Sequence, residues 1–234
     1  MVCLAFILTA CVDPSGKYAY VPNEDDSNIA QYSMGAVVAS TAMAPATVAT
    51  GSYLTSVTVD PSGKYAYVAN FGSTVSQYSI GADDASTALA PATVAAESYP
   101  TSDTVDPSGK YAYMANNGDN NDSQYSIGAD GASTALAPAT VAARSSPSSV
   151  TEDPSGKYAY VTNEDDSNVS QYSIGADDAS TVTADWNPYS LAPPLGLICV
   201  TMALRRQWHR QPWRRGRLKN PLSPVAPGSS SAGG

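Results

Sequence analysis

Histidine, phenylalanine and cysteine are scarce in this sequence, and their scarcity excludes several kinds of site. The 234-residue chain has one histidine, His209, two phenylalanines and three cysteines, against 15 tyrosines. Cys3, Cys11 and Cys199 form neither a disulfide framework nor a zinc-ligand spacing. The sequence before His209 therefore offers no Ser–His or Cys–His pair, and it contains no nucleophile-elbow motif or glycine-rich phosphate loop.

Positive charge is also scarce over most of the chain. All 21 acidic residues lie at or before Asp185, whereas seven of the 12 basic residues lie between Arg205 and Lys219. The other five basic residues are Lys17, Lys64, Lys110, Arg144 and Lys157. An acidic body of this kind repels nucleic acid and anionic membranes, so we expect no nucleic-acid partner. A phosphorylated ligand would find almost no cationic clamp.

The dominant feature that is present is a fourfold repeat. The segment DPSGKYAY begins at Asp13, Asp60, Asp106 and Asp153, in steps of 46 or 47 residues. The only change of length falls between GKYAY and a later QYS motif, in Asn-, Asp- and Gly-rich segments that are typical of exposed turns. Periods of this length are typical of propeller blades and of solenoid coils.

Each repeat predicts four short strands, which in the second repeat are Leu54–Val59, Lys64–Asn70, Val75–Ile80 and Ala88–Ala95. Pro91 lies inside the fourth strand, which favours an edge position. We therefore predict an all-β β-propeller of four-stranded antiparallel blades. The predicted blades span about residues 5–52, 53–99, 100–146 and 147–181. A parallel solenoid is the alternative, but its coils are usually shorter and lack hairpin turns at both ends.

The KYAYV segment predicts how neighbouring blades pack. In an extended strand Tyr65 and Tyr67 point to one face, and Ala66 and Val68 point to the other. Both faces are apolar, one with large and one with small side chains, as a blade between two neighbours requires. We expect the tyrosines of one blade to fill the space beside the Ala and Val residues of the next.

The motifs DPSGKYAYVTN and VSQYSI resemble the repeat of the lactonase-type β-propellers, and Tyr160–Asn163 spell the YVTN repeat of that family. The resemblance covers about residues 5–181. It implies a propeller that is typically seven-bladed, in a family that includes 6-phosphogluconolactonase-like enzymes, a muconate-lactonising relative, and surface or secreted proteins without assigned chemistry.

The number of repeats departs from that family. This chain has three full units and a fourth whose pattern ends after Thr181. A bare blade face would expose roughly 500 Å² of apolar surface, about the largest patch on ordinary monomers. The four units therefore close into a small ring, associate with another copy or with further blades, or are a fragment; we favour association or a fragment.

Both ends of the chain allow two interpretations. Leu8–Cys11 match a lipoprotein cleavage box, yet Ile7–Val12 also align with the first strand of a blade. Residues 182–234 form a non-repeat tail in which Trp208 and Trp213 lie among arginines. Such a tail binds nucleic acid or anionic lipid, or it is a disordered or frame-shifted segment, which we favour. An extracellular or cell-surface location is favoured over the cytoplasm.

The candidate binding residues belong to the loops at one end of the blades, around the expected mouth of the channel. They are Tyr53, Tyr99, Arg144, Asp25, Asp26, Asp119, Asp165 and Asp166. The Asp-rich loops lack the spaced acidic ladder of a calcium loop, so we expect no metal and no cofactor. We predict a non-catalytic scaffold that binds a protein or carbohydrate. The alternatives are a lactone hydrolase of the 6-phosphogluconolactonase type and a non-functional fragment.

Overall fold

The predicted all-β propeller architecture is confirmed by four antiparallel four-stranded sheets. The computed structural model describes residues 10–35, 40–82, 85–175 and, for the backbone alone, 180–186. Within these ranges the chain contains strands and turns but no helix, and hence no helix long and apolar enough to cross a membrane. In each sheet the strands pair in sequence order, as in a propeller blade.

The strands follow the repeat closely. The first sheet contains β1 (Cys11–Val12), β2 (Tyr18–Asn23), β3 (Asn28–Met34) and β4 (Ser40–Ala49). The second contains β5 (Leu54–Val59), β6 (Tyr65–Asn70), β7 (Thr74–Ile80) and β8 (Ser86–Ala95). The third contains β9 (Pro100–Val105), β10 (Tyr111–Asn116), β11 (Asn121–Ile127) and β12 (Ser133–Ala142). The fourth contains β13 (Pro147–Glu152), β14 (Tyr158–Asn163), β15 (Asn168–Ile174) and β16 (Ser180–Trp186).

The DPSG turn between the first two strands of each sheet is organised by its aspartate. One carboxylate oxygen of Asp60 accepts hydrogen bonds from the backbone amides of Lys64 and Tyr65, both at 2.8 Å. The other accepts from the amide and the hydroxyl of Ser62, at 3.0 and 2.5 Å. At the equivalent Asp153, burial raises the pKa of the carboxyl, but the same set of hydrogen bonds outweighs it and leaves the pKa lowered.

We expect Asp60→Ala to lower the free energy of unfolding by about 2 kcal/mol, because it leaves backbone amides of the turn without an acceptor. Urea unfolding followed by tyrosine fluorescence would measure the change. Asp25→Ala, at an exposed turn position, is the matched control and should change stability by less than about 0.5 kcal/mol. Equal losses in the two variants would contradict this role for Asp60.

Three hydrophobic clusters join consecutive sheets. Between the second and third sheets, Tyr67 packs with Ala112, Met114 and Tyr125. The first-to-second and third-to-fourth clusters repeat this arrangement around Tyr20 and Tyr113. The expectation that tyrosines of one blade pack beside small apolar residues of the next is therefore confirmed. The hydroxyl of Tyr67 also donates to the carbonyl of Gly131 in the next sheet, at 2.8 Å.

The glutamine of the QYS motif joins strands within a sheet and between sheets. Gln77 is fully buried and lies where the pairing of β7 with β8 shifts register. Its amide nitrogen donates to the carbonyl of Pro91 at 3.2 Å, and its amide oxygen accepts from the backbone of Ser133 at 2.6 Å. Pro91 lies inside the outer strand β8, which begins at Ser86, two residues earlier than predicted. The side chain of Gln77 thus bonds to the backbone of β8 at the point where its register with β7 shifts.

The tyrosine of the same motif reaches back to the preceding sheet. The hydroxyl of Tyr78 donates to the carbonyl of Ala49 at 2.6 Å, and Tyr125 donates likewise to Ala95 at 2.8 Å. Tyr172 repeats the contact with Ala142 at 3.0 Å. The QYS motif is thus explained by contacts between blades.

The four sheets do not close into a ring, so a closed four-blade propeller, one of the three alternatives, is not found. Among the described residues the hydrophobic clusters join the first sheet to the second, the second to the third and the third to the fourth. Of the predictions for the chain ends, the described residues include Ala10, strand β1 (Cys11–Val12) and residues 182–186, which belong to β16 although the sequence analysis assigned them to the tail. Leu8 and Thr9 of the cleavage box and the tail beyond residue 186 lie outside them.

Candidate functional site

The linkers between sheets and the turn between the second and third strands meet at one end of each sheet. The carbonyl of Tyr53, in the linker before β5, accepts a hydrogen bond from the amide of Phe71 at 2.9 Å. The carbonyls of Tyr99 and Ser146 accept equivalent bonds from Asn117 and Glu164. Each linker therefore bonds to the turn of the sheet it enters, whereas the gathering of these loops around a channel mouth stays a prediction.

Aromatic side chains line the end of the second sheet. The rings of Phe71 and Tyr99 stack with their centroids 4.2 Å apart and their planes inclined by 18°. Gly118 lies against Tyr99, since a Cβ at this glycine would be 2.7 Å from Cδ2 of the tyrosine ring. Tyr99 is 48% exposed and Tyr53 is 58% exposed. We call Tyr53, Phe71 and Tyr99 the aromatic row.

The linker backbone explains why these tyrosines project from the surface. Tyr53, Tyr99 and Ser146 occupy equivalent positions and have φ angles of 56°, 56° and 57°. This left-handed conformation is uncommon for residues other than glycine. Because Ser146 adopts the same conformation with a small polar side chain, the linker geometry does not require an aromatic ring. The linker backbone by itself therefore does not account for tyrosine at positions 53 and 99.

Three of the predicted acidic residues cap linkers. The carboxylate of Asp119 accepts from the amide of Ser98 at 2.7 Å, and this bond lowers the pKa of Asp119. Asp166 accepts from the amide of Ser145 at 3.1 Å, and Asp165 accepts from the hydroxyl of Ser146 at 2.6 Å. Asp119 thus lies beside the aromatic row, whereas Asp165 and Asp166 lie at the end of the fourth sheet.

The other predicted residues, Asp25, Asp26 and Arg144, are exposed. Asp25 and Asp26 lie in the exposed turn between β2 and β3, in the first sheet. Arg144 is exposed in the linker before β13, where its amide donates to the side-chain oxygen of Asn163 at 3.2 Å. Among the described residues no group of three His, Cys, Asp or Glu side chains is placed to bind a metal ion. A ligand role for these residues stays a prediction.

Two buried carboxyls in the third sheet were missed by the sequence analysis. Asp103 and Asp122 are 8% and 3% exposed, and no carboxylate oxygen of either has a hydrogen-bond partner within 3.5 Å. Burial raises the pKa of each to about 7, an effect that the neighbouring Ser56 and Tyr172 hydroxyls only partly offset. The two carboxyls face opposite ways, since Asp103 pairs with Met114 and Asp122 pairs with Ala115.

The repeat itself contained the signal for both carboxyls. Asp103 stands where the second and fourth repeats have Val57 and Val150, which are buried. Asp122 stands where the other repeats have the buried residues Ile29, Val75 and Val169. A carboxyl at a position that is aliphatic in sister repeats predicts a buried charge, and a position-by-position comparison of the repeats would have found it.

The arrangement is similar to known propellers in sequence and in fold. A model of the lactonase family of seven-bladed β-propellers matches residues 86–184, and a model of the LVIVD repeat matches residues 55–74. No curated protein sequence matches the chain.

Several solved structures share the fold at low identity. A candidate 6-phosphogluconolactonase of Bacteroides fragilis is 22% identical, with a TM-score of 0.68 over 77% of this chain and 55% of that protein. The periplasmic gluconolactonase of Pseudomonas aeruginosa is 16% identical, with a TM-score of 0.65 over 76% and 53%. A functionally unknown protein of Desulfotomaculum acetoxidans is 17% identical, with a TM-score of 0.64 over 75% and 54%.

This chain spans about half the length of these solved structures. At these identities the similarity shows the fold, and the family model adds a match in sequence over the third and fourth repeats. The predicted resemblance to the lactonase-type β-propellers is therefore confirmed for the repeats of this chain.

Proposed function

We propose that this chain is a binding scaffold of lactonase-like propeller blades, whose ligand is a neutral carbohydrate that stacks on the aromatic row. The observation that carries the proposal is the stacked Phe71–Tyr99 pair, in which the amide of Phe71 also donates to the carbonyl of the exposed Tyr53. Exposed rings on rigid backbone provide flat apolar surface at a low entropic cost. Ser146 shows that the fold itself does not need tyrosine at the linker position.

The charge around the aromatic row favours an uncharged ligand. Asp119 lies at the same end of the sheets, and its lowered pKa keeps it ionised at neutral pH. Carboxylates accept hydrogen bonds from sugar hydroxyls, but they repel anionic and phosphorylated sugars. A neutral saccharide can therefore stack on the aromatic rings and donate hydrogen bonds to the neighbouring carboxylate.

An array of neutral and anionic glycans, followed by calorimetry with the neutral glycan that binds best, tests the proposal. We expect Tyr53→Ser and Tyr99→Ser each to weaken binding about five- to tenfold, because one stacking ring contributes about 1 kcal/mol. Serine is the matched replacement, since it occupies the equivalent position 146. Tyr158→Ser, an exposed tyrosine outside the aromatic row, is the control and should bind like the unchanged chain.

Binding to no glycan, or equal affinity in the unchanged chain and both row variants, would contradict the carbohydrate proposal. The second candidate function is lactone hydrolysis, which the match of residues 86–184 to the lactonase family model favours. Acid release from 6-phosphogluconolactone above the spontaneous rate would support the hydrolase in place of the scaffold.

A further inference from the structure

The contacts between consecutive sheets use the same repeat positions each time. The sheet on one side contributes the second tyrosine of its YAY segment, and the next sheet contributes the alanine and valine or methionine of its own second strand. The next sheet also contributes its QYS tyrosine. In the second-to-third contact these residues are Tyr67, Ala112, Met114 and Tyr125. Each sheet therefore has two different faces: one presents the YAY tyrosine to the next sheet, and the other presents small apolar residues and the QYS tyrosine to the preceding sheet.

Within the described residues, no further sheet packs on the face of the fourth sheet that presents the YAY tyrosine. The second YAY tyrosine is buried in the first three sheets, as Tyr20, Tyr67 and Tyr113. Its equivalent in the fourth sheet, Tyr160, is only half-buried. The neighbouring Tyr158 is 41% exposed. We call the surface formed by Tyr158 and Tyr160 the tyrosine face.

The first sheet presents the face with the small apolar residues. Ala19 and Val21 are half-buried, whereas their equivalents in the second sheet, Ala66 and Val68, are buried. The QYS tyrosine of the first sheet, Tyr32, is likewise half-buried, although its three equivalents are buried. We call the surface formed by Ala19, Val21 and Tyr32 the small-residue face.

A backbone group at the small-residue side of the first sheet supports the same conclusion. Ser86 and Ser133 are buried, and their amides donate to the QYS glutamine of the preceding sheet at 2.9 and 2.6 Å. Ser40, the equivalent residue in the first sheet, is exposed. In a complete contact its amide would donate to Gln171, which holds the corresponding position in the fourth sheet.

We propose that two copies of this chain associate head to tail, each tyrosine face packing on the small-residue face of the other. The tyrosine face and the small-residue face are complementary, because the same residue types meet in each of the three contacts between consecutive sheets. When chains associate through two unlike faces, they form a closed ring only if the rotation from each chain to the next adds up to a full turn; otherwise they form an open polymer. Two sets of four sheets related by a twofold axis give a closed ring of eight blades.

The area is sufficient for a stable dimer. The second strand of each sheet has 6 residues, and with strands about 4.8 Å apart and a rise of about 3.3 Å per residue, one sheet face measures about 400 Å². A closed pair of chains covers four such faces, or about 1,600 Å² in total, which is the size of a standard stable interface.

Sedimentation velocity of the full chain tests the proposal. We expect a species of twice the 24.2 kDa chain mass at micromolar concentration. Tyr160→Asp or Tyr32→Asp should each yield monomers with an unchanged circular dichroism spectrum, because a charge then opposes apolar side chains in both contacts. Tyr53→Ser, in the aromatic row, is the control and should leave the dimer intact.

Mixing the two variants provides a test that misfolding cannot imitate. A Tyr160→Asp chain retains its small-residue face and a Tyr32→Asp chain retains its tyrosine face, so a mixture restores one of the two contacts. It should form one-to-one heterodimers at higher concentrations than the unchanged chain needs, although each variant alone is monomeric. A folded monomeric unchanged chain would overturn the proposal and assign both faces to other segments or blades. A dimer that both variants leave intact, or an open polymer, would also overturn it.

Discussion

Replacing Asp103 with valine is expected to raise the free energy of unfolding at pH 8 by up to about 4 kcal/mol, since a pKa shift of one unit corresponds to about 1.4 kcal/mol. The carboxyl has a pKa of about 7 in the folded chain, against 3.8 as its ordinary value. Ionising it at pH 8 places a charge without a hydrogen-bond partner between the second and third sheets. Valine is the residue that the second and fourth repeats already have at this position.

The sign of the pH dependence follows from the raised pKa. Below about pH 4 the carboxyl is protonated in both the folded and the unfolded state, so it does not make the free energy of unfolding depend on pH. Between about pH 4 and 7 the folded chain holds a proton that the unfolded chain has lost, so raising the pH favours unfolding. The contribution of the protonated Asp103 carboxyl to stability is fully lost once the pH passes its folded pKa of about 7. Asp122, whose pKa is also about 7, adds a second loss of the same sign.

Urea unfolding of the unchanged chain, Asp103→Val and Asp122→Val at about pH 4, 6 and 8 measures this effect. Each substitution should remove about half of the decline that the unchanged chain shows. Asp103→Asn should also remove the titration at this site, but without the gain from apolar packing. Val57→Asp, the reverse change at the equivalent position of the second sheet, should add a further decline. If Asp103→Val is no more stable than the unchanged chain at pH 8, the carboxyl is not buried as a destabilising charge.

The second large effect is expected from Tyr67→Ala, which should lower the free energy of unfolding by about 4 kcal/mol, as large-to-small substitutions of buried aromatic residues do. Tyr67 is buried, packs between the second and third sheets, and donates a hydrogen bond to Gly131. Its removal leaves a cavity in the apolar cluster and a carbonyl without its donor.

Tyr158→Ala is the matched control for this substitution. Tyr158 belongs to the YAY segment of the fourth sheet, which no later sheet covers in the described part of the chain, and it is 41% exposed. Below the concentration at which chains associate, we expect its removal to cost less than about 1 kcal/mol. Comparable losses for the two tyrosines would contradict the asymmetry between internal and terminal sheets.

Much of the fold could be predicted because its signals are local and repeated. The Asp–Pro–Ser–Gly turn and the alternation of Tyr with Ala or Val predicted the first two strands, and β5 has the bounds predicted for it. The irregular outer strand was predicted less well. Pro91 suggested a weak, short strand, whereas the strand runs from Ser86 to Ala95 because the side chain of Gln77 bonds to the carbonyl of Pro91.

The candidate site could be predicted only in part. Counting strands was enough to place Tyr53, Tyr99 and the Asp-rich turns at one end of the sheets. The stacking of Tyr99 on Phe71 was not predictable, since it joins a linker to a turn 28 residues away in the chain. The capping bonds of Asp119 and Asp166 were also missed, because an exposed aspartate in a turn has many possible donors and only the fold selects one.

The sequence by itself determined the type of blade, its period and the residues that lie between blades, because these depend on hydrogen bonds and side-chain alternation within about 47 residues. Only the tertiary structure decided which chemically identical tyrosines are buried and which are exposed. Burial of this kind depends on whether another sheet covers a given face, and identical repeats do not contain that information.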